Sequence, residues 1–274
     1  HKDIIVATIR SSNTEFETRE FEAYTSSLTD LRDWCKSQKV THVAMESTGV
    51  YWKPVFNILE EDFEVILVNA RHVKNVPGHK TDKKDSSWLS KLLLSGLLKA
   101  SFIPPRDIRE LRDLVRYKKK ITGQLASEKN RIIKILEDAN IKLSSVLTNV
   151  DGATGTKILA DLIAGTTDPK QLSKHYHGKI KASKTEMIEA LNGKLTAHHQ
   201  VMLKAIKRSM ADKEALIEEL DKQIELATKA YQVDIDNLQT IPGVGKESAI
   251  GIISEIGGDM SRFPDQNHLS SWSG

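Results

Sequence analysis

The tandem prolines at positions 104 and 105 constrain the fold most strongly, because they separate two regions with different hydrophobic periodicities. A helix cannot continue through two prolines, and the residue before a proline is held extended. Ahead of them, strand-length apolar runs alternate with amphipathic stretches, whereas long helical periodicities follow them. The chain is therefore predicted to contain an α/β region followed by a mainly helical region.

The region before the prolines, residues 1–103, is predicted to form one α/β domain. Strands are predicted at 3–10, 15–24, 41–46 and 63–68, and amphipathic helices at 26–38, around 52–59 and up to about 97. Two strands followed by the order strand, helix, strand, helix are typical of a mixed sheet with helices on its faces.

The region after the prolines carries two long helical patterns, at 106–140 and at about 196–230, with short helices around 151–170 between them. Long helices of opposite direction predict an antiparallel coiled-coil arm. The pattern changes again from residue 238. The predicted divisions are therefore 1–103, 104–237 and 238–274, the last being the start of a further helical domain.

Composition excludes several classes of protein. A single Cys35 excludes a disulfide framework and a Cys-rich zinc module. The 40 basic and 37 acidic residues give a net charge of +3, so any polyanion site must arise from local clustering. Apolar runs fall short of a membrane span, which requires about 18 residues. We expect an intracellular protein whose His175, His177, His198 and His199 are surface residues without metal.

Three acids form the most informative candidate site. Glu46 ends a predicted buried strand, which is where ligands usually meet α/β sheets. Asp82 and Asp85 are three residues apart at the start of a helix, so both carboxylates project from one face. Converging carboxylates suit a hard divalent cation such as Mg²⁺. Two such ions can stabilise the attacking and leaving oxygens when a phosphodiester bond is displaced. The sequence predicts catalytic and metal-binding roles for these three acids.

A structural interpretation competes with this one, since the helix dipole alone favours Asp in a first turn with Thr81 as its cap. Neighbouring cations favour a nucleic-acid site. These are Arg71, Lys74, Lys80, Lys83 and Lys84, of which Lys80, Lys83 and Lys84 are predicted phosphate contacts.

A basic stripe opens the first long helix, with cations recurring at helical spacing. Its predicted nucleic-acid contacts are Arg109, Arg112, Arg116, Lys119 and Lys120, with Lys118 beside them. Acids at 107, 110 and 113 leave open a solvated, salt-bridged face instead.

The segment Pro242-Gly243-Val244-Gly245-Lys246 lies between two helical patterns and resembles a helix-hairpin-helix turn. Gly243 and Gly245 permit close approach of a ligand, and the next helix offers free N–H groups to a phosphate. Lys246 adds a positive charge. A plain interhelical turn remains the alternative.

Three ordered motifs resemble those of the DEDD-type transposases of bacterial insertion sequences, the IS-one-ten family related to the Piv invertases. Glu46-Ser47-Thr48-Gly49 is similar to their E-[SA]-T-G motif, and the segment 80–85 is similar to K-T-D-x-x-D. The segments 241–245, 259–263 and 271–274 resemble the opening of their C-terminal transposase domain.

The resemblance implies a RuvC-like, RNase H-type domain, a coiled-coil arm used in self-assembly, and a C-terminal domain bearing a nucleophilic serine. It implies a recombinase of donor and target DNA, directed by a guide RNA that the element encodes. Glu46, Asp82 and Asp85 match three of four acidic positions in the family. Asp3 does not match the fourth, so that first-strand Asp and the serine are expected outside residues 1–274.

The leading hypothesis is therefore a transposase or site-specific recombinase that acts with Mg²⁺ as a homodimer or homotetramer. It is expected in the bacterial cytoplasm, associated with the nucleoid and not with a membrane. A RuvC-like structure-specific endonuclease would use the same acids to hydrolyse DNA with water. A non-catalytic helical scaffold for nucleic acid would use them only as helix caps.

Overall fold

A computed structural model describes the backbone of residues 2–47, 49–69, 82–263 and 265–273, together with their side chains except those of 82–84, 262 and 271–273. The described chain divides into two compact units, residues 1–103 and 104–274. Whether a further domain begins at 238 stays a prediction.

The first unit contains the predicted strands and helices close to their expected bounds. Its strands are β1 (Ile4–Arg10), β2 (Phe16–Glu22), β3 (His42–Glu46) and β4 (Glu64–Val68), and its helices are α1 (Thr25–Ser37), α2 (Trp52–Leu59) and α3 (Asp82–Leu94). β1 and β2 form an antiparallel hairpin in which Ile4 pairs with Glu22. β3 and β4 are parallel and are connected through α2.

The prediction of one mixed sheet is wrong for the described residues, where the strands form two separate two-stranded sheets. A cleft of about 1860 Å³ is lined by consecutive residues of β1 and of β3. β1 and β3 both border this cleft, and no strand pairing links them in the described residues.

Because successive side chains of a strand point to opposite faces, helices of the first unit pack on two sides of the strands. Ile5, Ala7 and Ile9 of β1 and Met45 of β3 pack into the core formed with α1 and α2. That core contains Leu28, Leu31, Trp34, Cys35, Val55, Leu59 and Phe63. The intervening residues of β1 meet α3, as the hydrogen bond from Ser86 to Thr8 shows. α3 therefore packs on β1 and on β3, on the side opposite to α1 and α2.

The second unit is built on two long helices, as predicted. Its helices are α4 (Arg106–Asp138), α5 (Leu143–Val146), α6 (Ala153–Ile163), α7 (Pro169–Leu172), α8 (Lys184–Ala190), α9 (Ala197–Thr228), α10 (Gln232–Gln239), α11 (Lys246–Ile256) and α12 (Gln266–Ser273). Contacts of 118 with 221, 128 with 209 and 138 with 199 show that α4 and α9 run antiparallel.

Short helices close one end of this pair. Ile132 and Leu136 of α4 and Leu203 of α9 pack with Ile158 and Leu162 of α6, all nearly fully buried. At the other end, α10 and α11 pack on α4 through a second apolar cluster. Its members are Ile108, Leu111, Ile224, Ile235, Ala249, Ile250 and Ile253.

Histidine placement differs in part from the prediction of four surface residues. His177 and His198 are exposed, but His175 is half-buried and His199 is only 7% exposed. The N–H of Thr196 donates to Nδ1 of His199 at 3.1 Å, so its Nε2 donates to Asp138 at 2.8 Å. His199 is buried because it forms part of the capping box that begins α9.

None of the helices in the described part of the chain combines the length and apolar character needed to cross a bilayer.

Candidate active site

Glu46 occupies the carboxyl end of a parallel strand pair. It lies opposite Val68 in the β3–β4 register, and the N–H of Ser47 donates to the carbonyl of Val68 at 2.9 Å. Met45 points into the core with α1 and α2, so alternation directs Glu46 to the opposite face, which α3 covers. Glu46 is half-buried and lies at the end of β3, the position in a strand that the sequence predicted for it.

Asp82 and Asp85 belong to the first turn of α3, which begins at Asp82. Asp85 is exposed and lines the cleft that also contains Glu46. The side chain of Asp82 lies outside the described ones. The structure thus brings two of the three predicted acids, from separate elements, to the walls of one cleft.

The donors of this cleft suit a hard divalent cation. Glu46 and Asp85 supply carboxylate oxygens, and the hydroxyls of Thr8, Ser86 and Ser90 line the same walls. No group of three or more His, Cys, Asp or Glu side chains is arranged to hold a metal within the described ranges, which lack the side chain of Asp82. The residues present fit an oxygen-coordinated ion, with Asp82 as the expected third carboxylate.

The cations near the acids, among them the predicted phosphate contacts, lie outside the described side chains. Lys80, Arg71 and Lys74 lie outside the described residues, and Lys83 and Lys84 are described only as backbone of α3.

Two arginines of the predicted basic stripe hold another part of the protein. Arg112 donates from Nε to the carbonyl of Ser254 at 3.1 Å and from Nη2 to that of Glu255 at 2.6 Å. Arg116 forms a bidentate pair with the Glu255 carboxylate, both distances being 2.8 Å. Burial lowers the pKa of Arg112, with Glu255 acting in the opposite direction. Both guanidinium groups therefore fasten the C-terminal end of α11 to α4.

The other cations of the stripe differ in their surroundings. Arg109 is half-buried and donates to the carbonyl of Pro104 at 3.1 Å, and Lys118 pairs with Asp221 and Glu247. Lys119 and Lys120 are exposed. The basic stripe is thus partly a salt-bridged face. Its solvent-exposed cations include Lys119 and Lys120.

The predicted hairpin turn joins α10 to α11 on the surface. The N–H of Val244 donates to the carbonyl of Ile241 at 3.0 Å, and Gly243 has a φ of +88°. Pro242 and Gly243 thus occupy the central positions of a type II turn, the second of which favours glycine. Gly245 precedes the first turn of α11, and Lys246 is exposed. Two helices joined by a tight turn are thus present, and a helix-hairpin-helix role for this turn stays a prediction.

Sequence reasoning missed Arg10, which lines the cleft and bonds to the serines of α3. Ser86, Ser87 and Ser90 provide a signal, because they recur on one helical face beside the acids. Their contact with Arg10 on β1 could not be predicted from a local pattern, since Arg10 lies about 80 residues earlier in the chain.

Two family models match the chain. The DEDD-type IS110 domain, described as Transposase, matches residues 1–141, just over half of the 274 residues. A second, described as Transposase IS116/IS110/IS902 family, matches residues 235–274. No curated protein matches. The DEDD-type domain implies an RNase H-like fold and indicates the use of a divalent metal. The resemblance seen in the three motifs is confirmed: this chain belongs to the IS110 family of transposases, enzymes that act on DNA.

Proposed function

We propose that this transposase cleaves and rejoins DNA strands at a site built on Glu46, Asp82 and Asp85. The observation that carries the proposal is that Glu46, at the end of β3, and Asp85, at the start of α3, line the same cleft. An RNase H-like site built on strand ends and a helix start has this plan. The first turn of α3 also has a positive helix-dipole end that favours an anionic ligand.

Mg²⁺ is the metal we propose, because carboxylate and hydroxyl oxygens line the cleft and Mg²⁺ binds through few carboxylates together with phosphate oxygens. A bound divalent cation supplies charge stabilisation to a phosphoryl centre. The protein's own contribution is to hold Glu46 at the end of β3 and the two aspartates in the first turn of α3.

Strand transfer would proceed through the serine nucleophile that the family resemblance implies. Its Oγ attacks phosphorus, the DNA oxygen leaves with a proton, and a phosphoserine ester preserves the bond for rejoining. A guide RNA encoded by the element would select donor and target DNA. Assembly as a homodimer or homotetramer, through the antiparallel α4–α9 arm as a coiled coil, would unite the acidic cleft and the serine.

The nucleic-acid contacts we propose in the second unit are the exposed Lys119 and Lys120 and the turn containing Gly243, Gly245 and Lys246. Lysine side chains on a solvent-facing helix can neutralise backbone phosphates. The first turn of α11 presents N–H groups beside Lys246, which suits a phosphate oxygen.

The test replaces both acids of α3 in the complete transposase, as Asp82→Asn with Asp85→Asn. Excision should fall at least about a hundredfold, since removing one strong electrostatic stabiliser alone costs that much in many enzymes. Asp30→Asn, an exposed acid on α1, is the matched control and should leave excision unchanged.

Each alternative predicts a different result. Undiminished excision by the double variant would refute the metal site. Nicked DNA without a protein–DNA adduct would favour the endonuclease, whereas a trapped serine adduct supports the recombinase. Nucleic-acid binding that responds to Mg²⁺ only as to any other salt, without cleavage, would favour the scaffold.

A further inference from the structure

We infer that Arg10 is a positioning residue for the proposed acidic site, in that it fixes the acid-bearing half of α3 to β1. The inference rests on the proposed function for its consequence, and on the hydrogen bonds of Arg10 for its geometry.

The Arg10 guanidinium connects β1, the following turn and α3. Nε donates to Oγ of Ser90 at 3.1 Å, and Nη2 donates to Oγ of Ser87 at 2.9 Å with a longer contact to its carbonyl at 3.5 Å. Nη1 donates to the carbonyls of Ser12 and Asn13 at 3.2 and 2.9 Å. A guanidinium has five N–H donors, so each of them has an acceptor here.

Stacking restrains the same group. The guanidinium carbon lies 4.5 Å from the ring centroid of Phe16, the residue that pairs with Arg10 across the β1–β2 hairpin. A planar cation over an aromatic ring is attracted to its face, which limits rotation of the fork.

Further polar contacts attach this half of α3 to β1. Ser86 donates to Oγ1 of Thr8 at 2.9 Å, and Thr8 lies 2.8 Å from Oγ1 of Thr18. The three large apolar clusters among the described residues contain no side chain of α3, although Leu92 is buried. The fork of Arg10 and the hydroxyl contact of Ser86 therefore add specific polar links between α3 and β1 to the packing around Leu92.

A short path connects Arg10 to both acids. Asp85 lies two residues before Ser87 on α3. On the other side, Ile9 precedes Arg10 and packs in the same core as Met45, which precedes Glu46. Arg10 therefore joins the wall that bears Asp85 to the framework that bears Glu46. Ligand spacing for a metal must hold to a few tenths of an ångström, so this link matters for ion binding.

Lysine cannot replace the fork, because an ammonium group has three donors at one point and no planar face. The test variant is therefore Arg10→Lys in the full chain, which keeps the charge. Arg19→Lys is the matched control: Arg19 lies on the neighbouring strand and stacks on Trp34 at 4.6 Å, but it does not line the cleft.

The first measurement is amide hydrogen exchange of residues 85–94 without metal. Arg10→Lys should accelerate exchange there by roughly tenfold or more, since several hydrogen bonds to a charged group are lost. Arg19→Lys should not. Ser87→Ala with Ser90→Ala, which removes two acceptors and keeps Arg10, should reproduce the effect. Unchanged exchange in both the Arg10 and the serine variants would overturn the inference.

The second measurement is binding of Mn²⁺ alone, followed by electron paramagnetic resonance. Arg10→Lys should weaken Mn²⁺ binding by roughly tenfold while the control binds normally. Equal affinity in wild type and Arg10→Lys would overturn the positioning role. Absence of binding by the wild type would instead refute the proposed metal site, and the exchange measurement would still decide whether Arg10 fixes α3.

Discussion

Single polar residues organise the helical unit as well as the cleft, and Asp161 on α6 is an example. Its Oδ2 accepts from Lys174 at 2.9 Å and from His175 at 2.8 Å, which connects α6 to the turn after α7. The hydrogen bond from Lys174, followed by that from His175, lowers the pKa of Asp161 below its ordinary value of 3.8. A carboxylate with a lowered pKa favours the folded state when it is ionised.

This shift predicts a pH dependence. The contribution of Asp161 is fully present above pH 3.8 and is lost as the pH falls through the lower, folded pKa. Asp161→Asn should therefore lower the melting temperature at neutral pH, and its difference from wild type should shrink in strong acid. Thermal unfolding across this pH range checks the sign. Asp212→Asn, an exposed acid on α9, is the control, and a deficit that grows on acidification would contradict the prediction.

At the scale of elements, close approach of backbones fixes the junction between α5 and α6. A Cβ at Gly155 would lie 1.9 Å from the carbonyl oxygen of Val150, which no side-chain movement can relieve. Gly123 on α4 provides a contrast, because a Cβ there would meet nothing within 4 Å.

Gly155→Ala should destabilise the protein by about 2 kcal/mol or more, because the backbone must shift to admit the methyl group. Gly123→Ala should stabilise it by about 0.5–1 kcal/mol, since alanine loses less backbone entropy in an exposed helix interior. Urea unfolding of both variants measures the difference. Equal stability of the two would show that α6 does not pack on Val150 in this way.

Periodicity predicted elements well and predicted their assembly less well. The β-branched apolar run of β1 and the helical spacing of Leu28, Leu31 and Trp34 are local, so both elements could be predicted directly from the sequence. Sheet order depends on distances between edges, which no local pattern contains, and the single mixed sheet was accordingly wrong. The clash at Gly155 and the fork of Arg10 depend likewise on contacts between separate segments.

The candidate site was predictable to the extent that its signals were local. Glu46 at a strand end and Asp85 in a first helical turn could be placed from the pattern, and the cleft contains both. The role of the arginines in the basic stripe could not be predicted, because helical spacing does not distinguish a side chain that binds phosphate from one that binds another helix. Arg112 and Arg116 find their acceptors about 140 residues later in the chain.

At the scale of the whole chain, the cations of the second unit fall into two groups: some hold helices together, and others face solvent. Arg112 satisfies two carbonyls at the C-terminal end of α11, where helix carbonyls otherwise lack partners. Its side chain is 18% exposed, and Glu255 beside it is 33% exposed. Lys119 and Lys120 follow on the same helix but face solvent. Stability and nucleic-acid binding should therefore respond to different members of one basic stripe.

Lys119→Ala with Lys120→Ala should weaken DNA binding at every sequence and reduce the slope of log affinity against log salt by up to about 1.8, since each phosphate contact contributes about 0.9. Stability should be unchanged, because both side chains are exposed. Arg112→Ala should instead cost about 1–3 kcal/mol of unfolding free energy by leaving helix-end carbonyls without a donor. Fluorescence anisotropy over a salt series and urea unfolding separate the two effects. If the lysine variant lost stability but kept the wild-type salt slope, Lys119 and Lys120 would hold parts of the protein together and would not bind DNA. The proposed DNA contacts of this unit would then be those of the turn at Gly243–Lys246.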